Sequence, residues 1–108
     1  MSTASGADPA AIFAALGDPT RLALLGRLCA GAPLSIAALS AESRLTRQAV
    51  TKHLQVLAKA GLVAQRRAGR ETRFSYRPQA VDAARAYLEA VSVQWDDALE
   101  RLRRFVED

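Results

Sequence analysis

Apolar side chains recur every three or four residues through the first part of the chain, which is the spacing of a helix. Two of these segments each follow an Asp-Pro pair, at positions 8–9 and 18–19. The pair is typical of a helix start, because the carboxylate accepts an unpaired backbone N–H and proline suits the first helical position. The pattern therefore predicts helices over residues 9–16 and 19–29, the second of them mostly buried.

Residues 34–60 predict two further helices joined by a tight turn. The first covers residues 35–42, and Thr46 can N-cap the second by accepting a backbone N–H. The second helix has one apolar face and one face without acidic residues, which carries Arg47, Gln48, Thr51, Lys52 and Gln55. An acid-free face of cations and amides fits the major groove of DNA. The segment is interpreted as a helix-turn-helix whose second helix reads DNA.

The pattern changes to a period of two after the helix-turn-helix. Residues 63–67 and 72–77 alternate as two strands joined by a short turn, which predicts a β-hairpin. Four arginines lie at or beside the turn: Arg66, Arg67, Arg70 and Arg73. A hairpin docked beside a helix-turn-helix forms a wing, and its arginines are expected to contact phosphates or a minor groove.

Residues 79–107 form the longest segment without Gly or Pro. Its apolar residues step alternately by four and three from Ala84 to Phe105, which is a heptad seam. The seam is compatible with an amphipathic helix packed on its own domain. Because the preceding helices already supply a core, we favour packing against a second copy of the chain. The predicted dimerisation residues lie in both terminal helices: Ile12, Phe13, Leu88, Val91, Trp95, Leu99, Leu102 and Phe105.

These elements predict a mainly α fold with a small β-hairpin, in the order α-α-α-α-β-β-α, which is a winged helix-turn-helix. At 108 residues the chain is expected to form one domain over residues 8–108, after a flexible tail at residues 1–7. The sequence shows neither a signal-peptide pattern nor a stretch that could span a membrane, so we expect a cytoplasmic location.

Charge is distributed unevenly along the chain, whose formal net charge is +4. Residues 21–77 hold eleven Arg or Lys and only two acids, while both ends of the chain are mildly acidic. For a single arginine, a solvated surface position is the simplest explanation. A basic block that coincides with a helix-turn-helix predicts an electrostatic footprint for the phosphates of double-stranded DNA.

A family resemblance rests on four stretches in this order and at these spacings: LGDPTRL at 16–22, LTRQAVTKHL at 45–54, AGLV at 60–63 and Gly69-Arg70. The chain resembles the ArsR/SmtB family of bacterial winged-helix repressors. The resemblance implies a homodimer with two recognition helices in successive major grooves of an imperfect palindrome, and repression by occupying a promoter. It implies base contacts from Arg47, Gln48, Thr51 and Lys52. We expect Ser35, Thr46 and the wing arginines to hold the DNA backbone.

The chain departs from this family in its candidate metal ligands. Many relatives sense metals through a Cys-x-Cys motif, and the matching positions here are Ser35 and Ala37. Other relatives use histidines of the C-terminal helix, which holds none here. Transition-metal sites need several N or S ligands at set spacing, and the chain has one Cys and one His. The sequence predicts a regulator without a metal or other cofactor.

Several alternatives stay open at this point. The regulator could be gated by an unknown inducer, either a small organic molecule or a partner protein, or it could be a winged-helix module that binds protein. Cys29 is expected to be a packed, inert thiol, with a thiol switch as the alternative. His53 is expected to form a hydrogen bond within or beside the core. An enzyme is not expected, because no nucleophile–base pair or phosphate-binding glycine loop is present.

Overall fold

A computed structural model describes residues 8–107 of the chain. The predicted tail at residues 1–7 lies outside the described residues. The elements in chain order are α1 (Pro9–Leu16), α2 (Pro19–Cys29), β1 (Leu34–Ser35), α3 (Ile36–Ala41), α4 (Arg47–Lys59), β2 (Val63–Ala68), β3 (Glu71–Tyr76) and α5 (Pro78–Glu107). The predicted order of helices and hairpin is confirmed, with one additional short strand, β1.

Side-chain caps fix the starts of α1 to α4. The side chains of Asp8, Asp18, Ser35 and Thr46 each accept a backbone N–H of the first helical turn, at 3.0 to 3.1 Å. Such a bond satisfies one of the donors that a helix start leaves unpaired, and replacing the cap by alanine costs about 1 kcal/mol. The predicted starts at Asp8, Asp18 and Thr46 are therefore confirmed as capped helix starts.

The sheet has three antiparallel strands in the order β1-β3-β2. The hairpin strands β2 and β3 are joined through Gly69 and Arg70, and Gly69 has the positive φ of 64° that suits glycine in a tight turn. Strand β1 pairs with the other edge of β3, where Leu34 lies opposite Phe74. Two residues are too few to show a period of two, so the sequence did not predict β1. Since α3 follows β1 directly, this pairing ties the wing to the helix-turn-helix.

The hydrophobic core lies between the first four helices and the base of the wing. Its largest fully buried side chains are Phe74, Ile12, Leu28, Leu39, Leu54, Leu57, Leu62 and Val50. In α2, only one face contributes to this core: Leu24, Leu25 and Leu28 are buried, whereas Leu22 is 53% exposed. The prediction that α2 is mostly buried is wrong, because α2 packs on its neighbours from one side only.

Helix α5 is organised differently from the other helices. Of its 30 residues only Ala80 and Ala84 are buried. Its first turns pack on α1, where the rings of Phe13 and Tyr87 lie 6.0 Å apart. The remainder extends beyond the core and gives the molecule its length of 68 Å against a thickness of 21 Å. Among the helices of the described residues, none has the length and apolar character required to cross a membrane.

Candidate nucleic-acid interface

Helix α4 turns one face to the core and the other to solvent. Val50, Leu54 and Leu57 have no exposed surface, whereas Lys52 and Gln55 on the other side are exposed. The N-terminal half of the outer face forms a shallow open depression lined by Thr46, Arg47, Gln48, Ala49, Thr51 and Lys52. No acidic side chain lines this depression, so its electrostatic character suits the edges and phosphates of a DNA groove.

A notch of about 340 Å³ separates α4 from the wing tip. Arg47 and Thr51 line this notch as well as the depression on α4. The other residues that line it come from the start of α3 and from the wing: Ser35, Ile36, Ala37, Arg70, Glu71 and Thr72. The face of α4 and the wing tip therefore form one continuous surface. We call this surface, from Lys52 through the notch to Arg70, the α4–wing surface.

Three hydroxyl groups of the α4–wing surface differ in their remaining hydrogen-bonding capacity. The Ser35 and Thr46 hydroxyls accept the N–H of Ala38 and Ala49, so each hydroxyl proton stays free to be donated. The Thr51 hydroxyl donates to the carbonyl of Arg47 at 2.7 Å, which uses its proton. Ser35 and Thr46 can therefore donate to a phosphate oxygen, whereas Thr51 offers a methyl group and an acceptor oxygen.

The strand register divides the wing arginines between two faces. Arg67 lies opposite Thr72, so it shares the face that borders the notch. Arg66 lies opposite Arg73 on the other face. The Arg73 guanidinium forms an ion pair with Glu71 at 3.0 Å, which offsets part of its charge. Arg70 itself lines the notch and Arg67 shares the face of Thr72, whereas Arg66 and Arg73 lie together with Ser75 on the opposite face of the hairpin.

Two arginines of the basic block bind helix ends within the protein. Arg27 donates to the carbonyl oxygens of Leu39 and Ala38 at 3.0 and 3.4 Å, and it pairs with Glu42. It thereby caps the C-terminal end of the short helix α3. Arg21 donates through Nε to the carbonyl of Ala15 at 2.6 Å. These two charges are engaged inside the fold, and no local sequence signal separates them from the surface arginines.

The single histidine and the single cysteine have different surroundings. His53 Nδ1 lies 3.4 Å from Arg21 Nη1, so the prediction that it bonds beside the core is confirmed. Cys29 is exposed, and the prediction of a packed thiol is wrong because it lies on the outward side of α2. Residual desolvation raises the pKa of the Cys29 thiol, which disfavours the reactive thiolate.

Within residues 8–107, no three His, Cys, Asp or Glu side chains converge on a possible metal site.

Comparison with known proteins agrees with this geometry. A family model described as a helix-turn-helix domain matches residues 16–66. The HTH-type transcriptional regulator Rv2034 of Mycobacterium tuberculosis is 38% identical over 89 residues, which cover 82% of this chain and 80% of that protein. An ArsR-like transcriptional regulator from Rhodococcus sp. RHA1 superposes with a TM-score of 0.79 at 34% identity, covering 90% and 91% of the two chains. The protein belongs to the ArsR family of transcriptional regulators.

Membership of the ArsR family confirms the predicted winged helix-turn-helix fold and establishes the chain as a transcriptional regulator with a helix-turn-helix DNA-binding domain. Another solved relative, Mb0332 from Mycobacterium bovis, is described as a homodimeric winged helix-turn-helix DNA-binding domain. It is 29% identical, with a TM-score of 0.61 and coverage of 85% of this chain and 82% of that one. The α4–wing surface of this ArsR-family protein is therefore its candidate DNA interface.

The residues predicted for dimerisation fall into three groups in this ArsR-family protein. Ile12 has no exposed surface, because it lies in the core of its own protomer. Phe13 and Val91 are half-buried. The others are exposed along α5, at 53% to 80% of their surface: Leu88, Trp95, Leu99, Leu102 and Phe105. The structure thus leaves a long apolar stripe on α5 and only the outer part of α1 available for contact with a second copy.

Proposed function

We propose that this ArsR-family regulator is a dimeric repressor that binds an imperfect palindrome with one α4 in each half-site. The observation that carries the proposal is the continuity of the α4–wing surface. It presents an acid-free helix face with a wing arginine beside it, and the major groove of DNA is wide enough to admit an α-helix. A regulator that occupies its promoter in this way excludes other proteins from the same DNA.

The proposal assigns two kinds of DNA contact. Base edges are read by the outer face of α4: Arg47, Gln48, Thr51, Lys52 and Gln55. Arginine pairs well with guanine and glutamine with adenine, because each offers two hydrogen bonds of matching geometry. The backbone is held by the free hydroxyl protons of Ser35 and Thr46, and by Arg67 and Arg70 of the wing. Arg73 contributes less, because Glu71 already pairs with it.

Dimerisation is proposed to bury the apolar stripe of α5. Trp95 is 64% exposed and Phe105 80% exposed, and the stripe continues through more than four turns of helix. Monomeric soluble proteins rarely leave so long an apolar surface in water. The interface would include Phe13, Leu88, Val91, Trp95, Leu99, Leu102 and Phe105. Ile12 would support it from inside the core.

The proposed regulator does not use a metal as its signal. The Ser35 hydroxyl is already the N-cap of α3, and Ala37 has no donor atom. His53 is bonded to Arg21, and Cys29 lies on a different helix, α2. Within one protomer these residues do not provide the convergent N and S donors that a transition metal requires.

Release of DNA by a small organic molecule is the second candidate. The observation that favours it is a groove of about 470 Å³ between α1 and α4. Its lining is largely apolar, with alanines of α1 and Val56 of α4, while Arg21 and Lys59 supply cations and Asp8 a carboxylate. A small organic molecule with an apolar body and polar ends would match this lining.

Fluorescence anisotropy at several salt concentrations tests the proposal. The two probes are a duplex from the DNA upstream of the protein's own gene and a scrambled duplex of the same composition. We expect the upstream duplex to bind at least about a thousandfold more tightly. Equal, salt-sensitive binding of both probes would contradict sequence-specific recognition at this site. No binding at any salt concentration would contradict the DNA interface itself.

A further inference from the structure

A cluster of three polar side chains connects α4 to the junction of α1 and α2. Arg21 is its centre: its Nη1 lies 3.4 Å from His53 Nδ1, and its backbone N–H donates to Asp18 Oδ2 at 3.0 Å. Asp18 Oδ2 also lies 4.0 Å from His53 Nδ1. The side chains of Asp18 and His53 are 32% and 25% exposed, so the cluster is mostly shielded from water.

The Arg21 guanidinium also binds the end of α1. Its Nε donates to the carbonyl of Ala15 at 2.6 Å and its Nη2 to the carbonyl of Ala14 at 3.3 Å. Carbonyl groups at the end of a helix lack partners within that helix, and a cation there is favourable. One side chain of α2 therefore holds the last turn of α1 and contacts α4 at the same time.

The chemistry of arginine sets the direction of the contact with His53. A guanidinium has donors only, so in a hydrogen bond between the two side chains Arg21 Nη1 donates and His53 Nδ1 accepts. The backbone N–H of Arg21 first, and the nearby charge of its guanidinium after it, hold the pKa of Asp18 below its ordinary value against the opposing effect of desolvation. Asp18 is therefore ionised at neutral pH and balances the guanidinium charge.

We infer that the Asp18–Arg21–His53 cluster is a positioning link that fixes α4 against α1 and α2. His53 lies within the proposed reading helix, adjacent in sequence to the proposed base-reading residue Lys52. At the other end of the link, α1 packs on α5. The link thus joins the helix that reads DNA to the helices proposed to form the dimer. This inference rests on the proposed function.

The consequence concerns specificity more than affinity. Contacts to phosphates tolerate a small shift of α4, because they depend mainly on charge. Hydrogen bonds to base edges depend on direction and distance, and a shift of α4 would weaken them first. Loss of the link should therefore reduce the preference for the correct sequence while leaving sequence-independent binding in place.

Three variants of the full chain test the link: His53→Leu, His53→Asn and Arg21→Met. Leucine removes the acceptor, asparagine keeps an oxygen near the place of Nδ1, and methionine removes the guanidinium. Arg85→Met is the matched control, because Arg85 is an exposed arginine of α5 with a single weak ion pair at 3.8 Å. The probes are a duplex that the wild-type protein selects from a random pool and a scrambled duplex. Each variant is measured below its thermal unfolding midpoint.

We expect His53→Leu to lower affinity for the selected duplex about tenfold, since a hydrogen bond to a charged group is lost. Its affinity for the scrambled duplex should change less than about twofold, consistent with retained phosphate contacts. His53→Asn should recover most of the preference. Arg21→Met should lose at least as much preference as His53→Leu, because it also releases the end of α1. A double variant that combines Arg21→Met with His53→Leu should lose little more preference than Arg21→Met alone, because the contact with His53 is already broken.

Two results would overturn the inference while leaving DNA recognition intact. One is an unchanged ratio of the two affinities in His53→Leu. The other is an equal loss on both duplexes that follows a lower unfolding midpoint, which would indicate a stabilising role only. Amide hydrogen exchange provides a readout without DNA: exchange in α4 should be faster in His53→Leu and normal in His53→Asn. If exchange in α4 is unchanged in His53→Leu, the link is overturned, whatever the DNA measurements show. If the wild-type protein does not discriminate between any duplexes, that failure contradicts the proposed function and not the link.

Discussion

The packed part of the chain, residues 8–77, and the distal part of α5 place their apolar side chains in opposite ways. In the first, leucines such as Leu54 and Leu57 have no exposed surface. In the second, Leu99 and Leu102 are each 57% exposed, although the sequence pattern of α5 is equally regular. The same residue type at the same spacing thus completes the core in one region and lies exposed to solvent in the other. On the proposed dimer, the first region would determine the stability of the protomer and the second the stability of the assembly.

The largest expected effect comes from Leu54→Ala in α4. Removing a fully buried leucine costs the transfer free energy and leaves a cavity, about 3 kcal/mol of unfolding free energy. Urea denaturation at two protein concentrations measures it, and the loss should be the same at both. Leu102→Ala is the matched control: its effect should depend on protein concentration, because its side chain is exposed in the protomer. An effect of Leu102→Ala that is equally large and independent of concentration would remove the distinction between the two regions.

Trp95→Ala is expected to weaken the dimer and to spare the protomer. A buried tryptophan at an interface contributes about 2 kcal/mol or more, roughly thirtyfold in the dissociation constant. Sedimentation equilibrium measures this constant, and circular dichroism checks the fold. Val93→Ala is the control, because Val93 is also exposed but lies about 200° around α5 from Trp95. A wild-type protein that is monomeric at all concentrations would refute the proposed dimer.

Gln48→Ala tests whether the outer face of α4 reads a base. It should cost about 1–3 kcal/mol on the selected duplex and relax the preference at one base pair. Anisotropy with a set of single-base variants of that duplex locates the position. Gln79→Ala, an exposed glutamine at the start of α5, should change nothing. Uniform weakening on every duplex by Gln48→Ala would assign Gln48 to the backbone and not to a base.

Arg70→Ala should have a smaller and more uniform effect. It should weaken binding to all duplexes about equally and reduce the slope of log affinity against log salt by about 1, because one phosphate contact is lost. Arg73→Ala should change this slope less, since its partner Glu71 already offsets its charge. A loss limited to one sequence in Arg70→Ala would instead show that Arg70 reads a base.

The smallest expected effect is the pH dependence that Asp18 adds to protomer stability. Its pKa is lower in the folded protein than its ordinary value of 3.8. Its contribution is therefore fully present above the ordinary value and is lost as pH falls through the lower folded value. Asp18→Asn keeps an N-cap without the charge. The free energy of unfolding should therefore be larger for the wild-type protein than for Asp18→Asn at neutral pH, and the difference should disappear in strongly acidic solution. A difference in unfolding free energy that persists in strong acid would exclude a role for the charge.

Local signals explain which features could be predicted from the sequence. Asp8, Asp18 and Thr46 act on N–H groups two or three residues away, so the helix starts were visible, and Gly69 marked the turn of the wing. Strand β1 and the role of Arg27 depend on partners far along the chain, Phe74 and Leu39. The exposure of Cys29 likewise depends on which side of α2 meets the core, which its own apolar pattern did not determine. For the site, the outer face of α4 could be predicted, whereas the division of the wing arginines required the strand register.

Strand β1 has a consequence for the spacing of bases in the proposed operator. Because β1 pairs with β3 of the wing and leads directly into α3 of the helix-turn-helix, we expect Arg70 and the outer face of α4 to keep a fixed separation. One base pair adds 3.4 Å along the DNA axis and about a tenth of a helical turn. An insertion of a single base pair between the segment under α4 and the segment under the wing would therefore move one of them out of reach. The operator should tolerate substitutions in that interval far better than changes in its length.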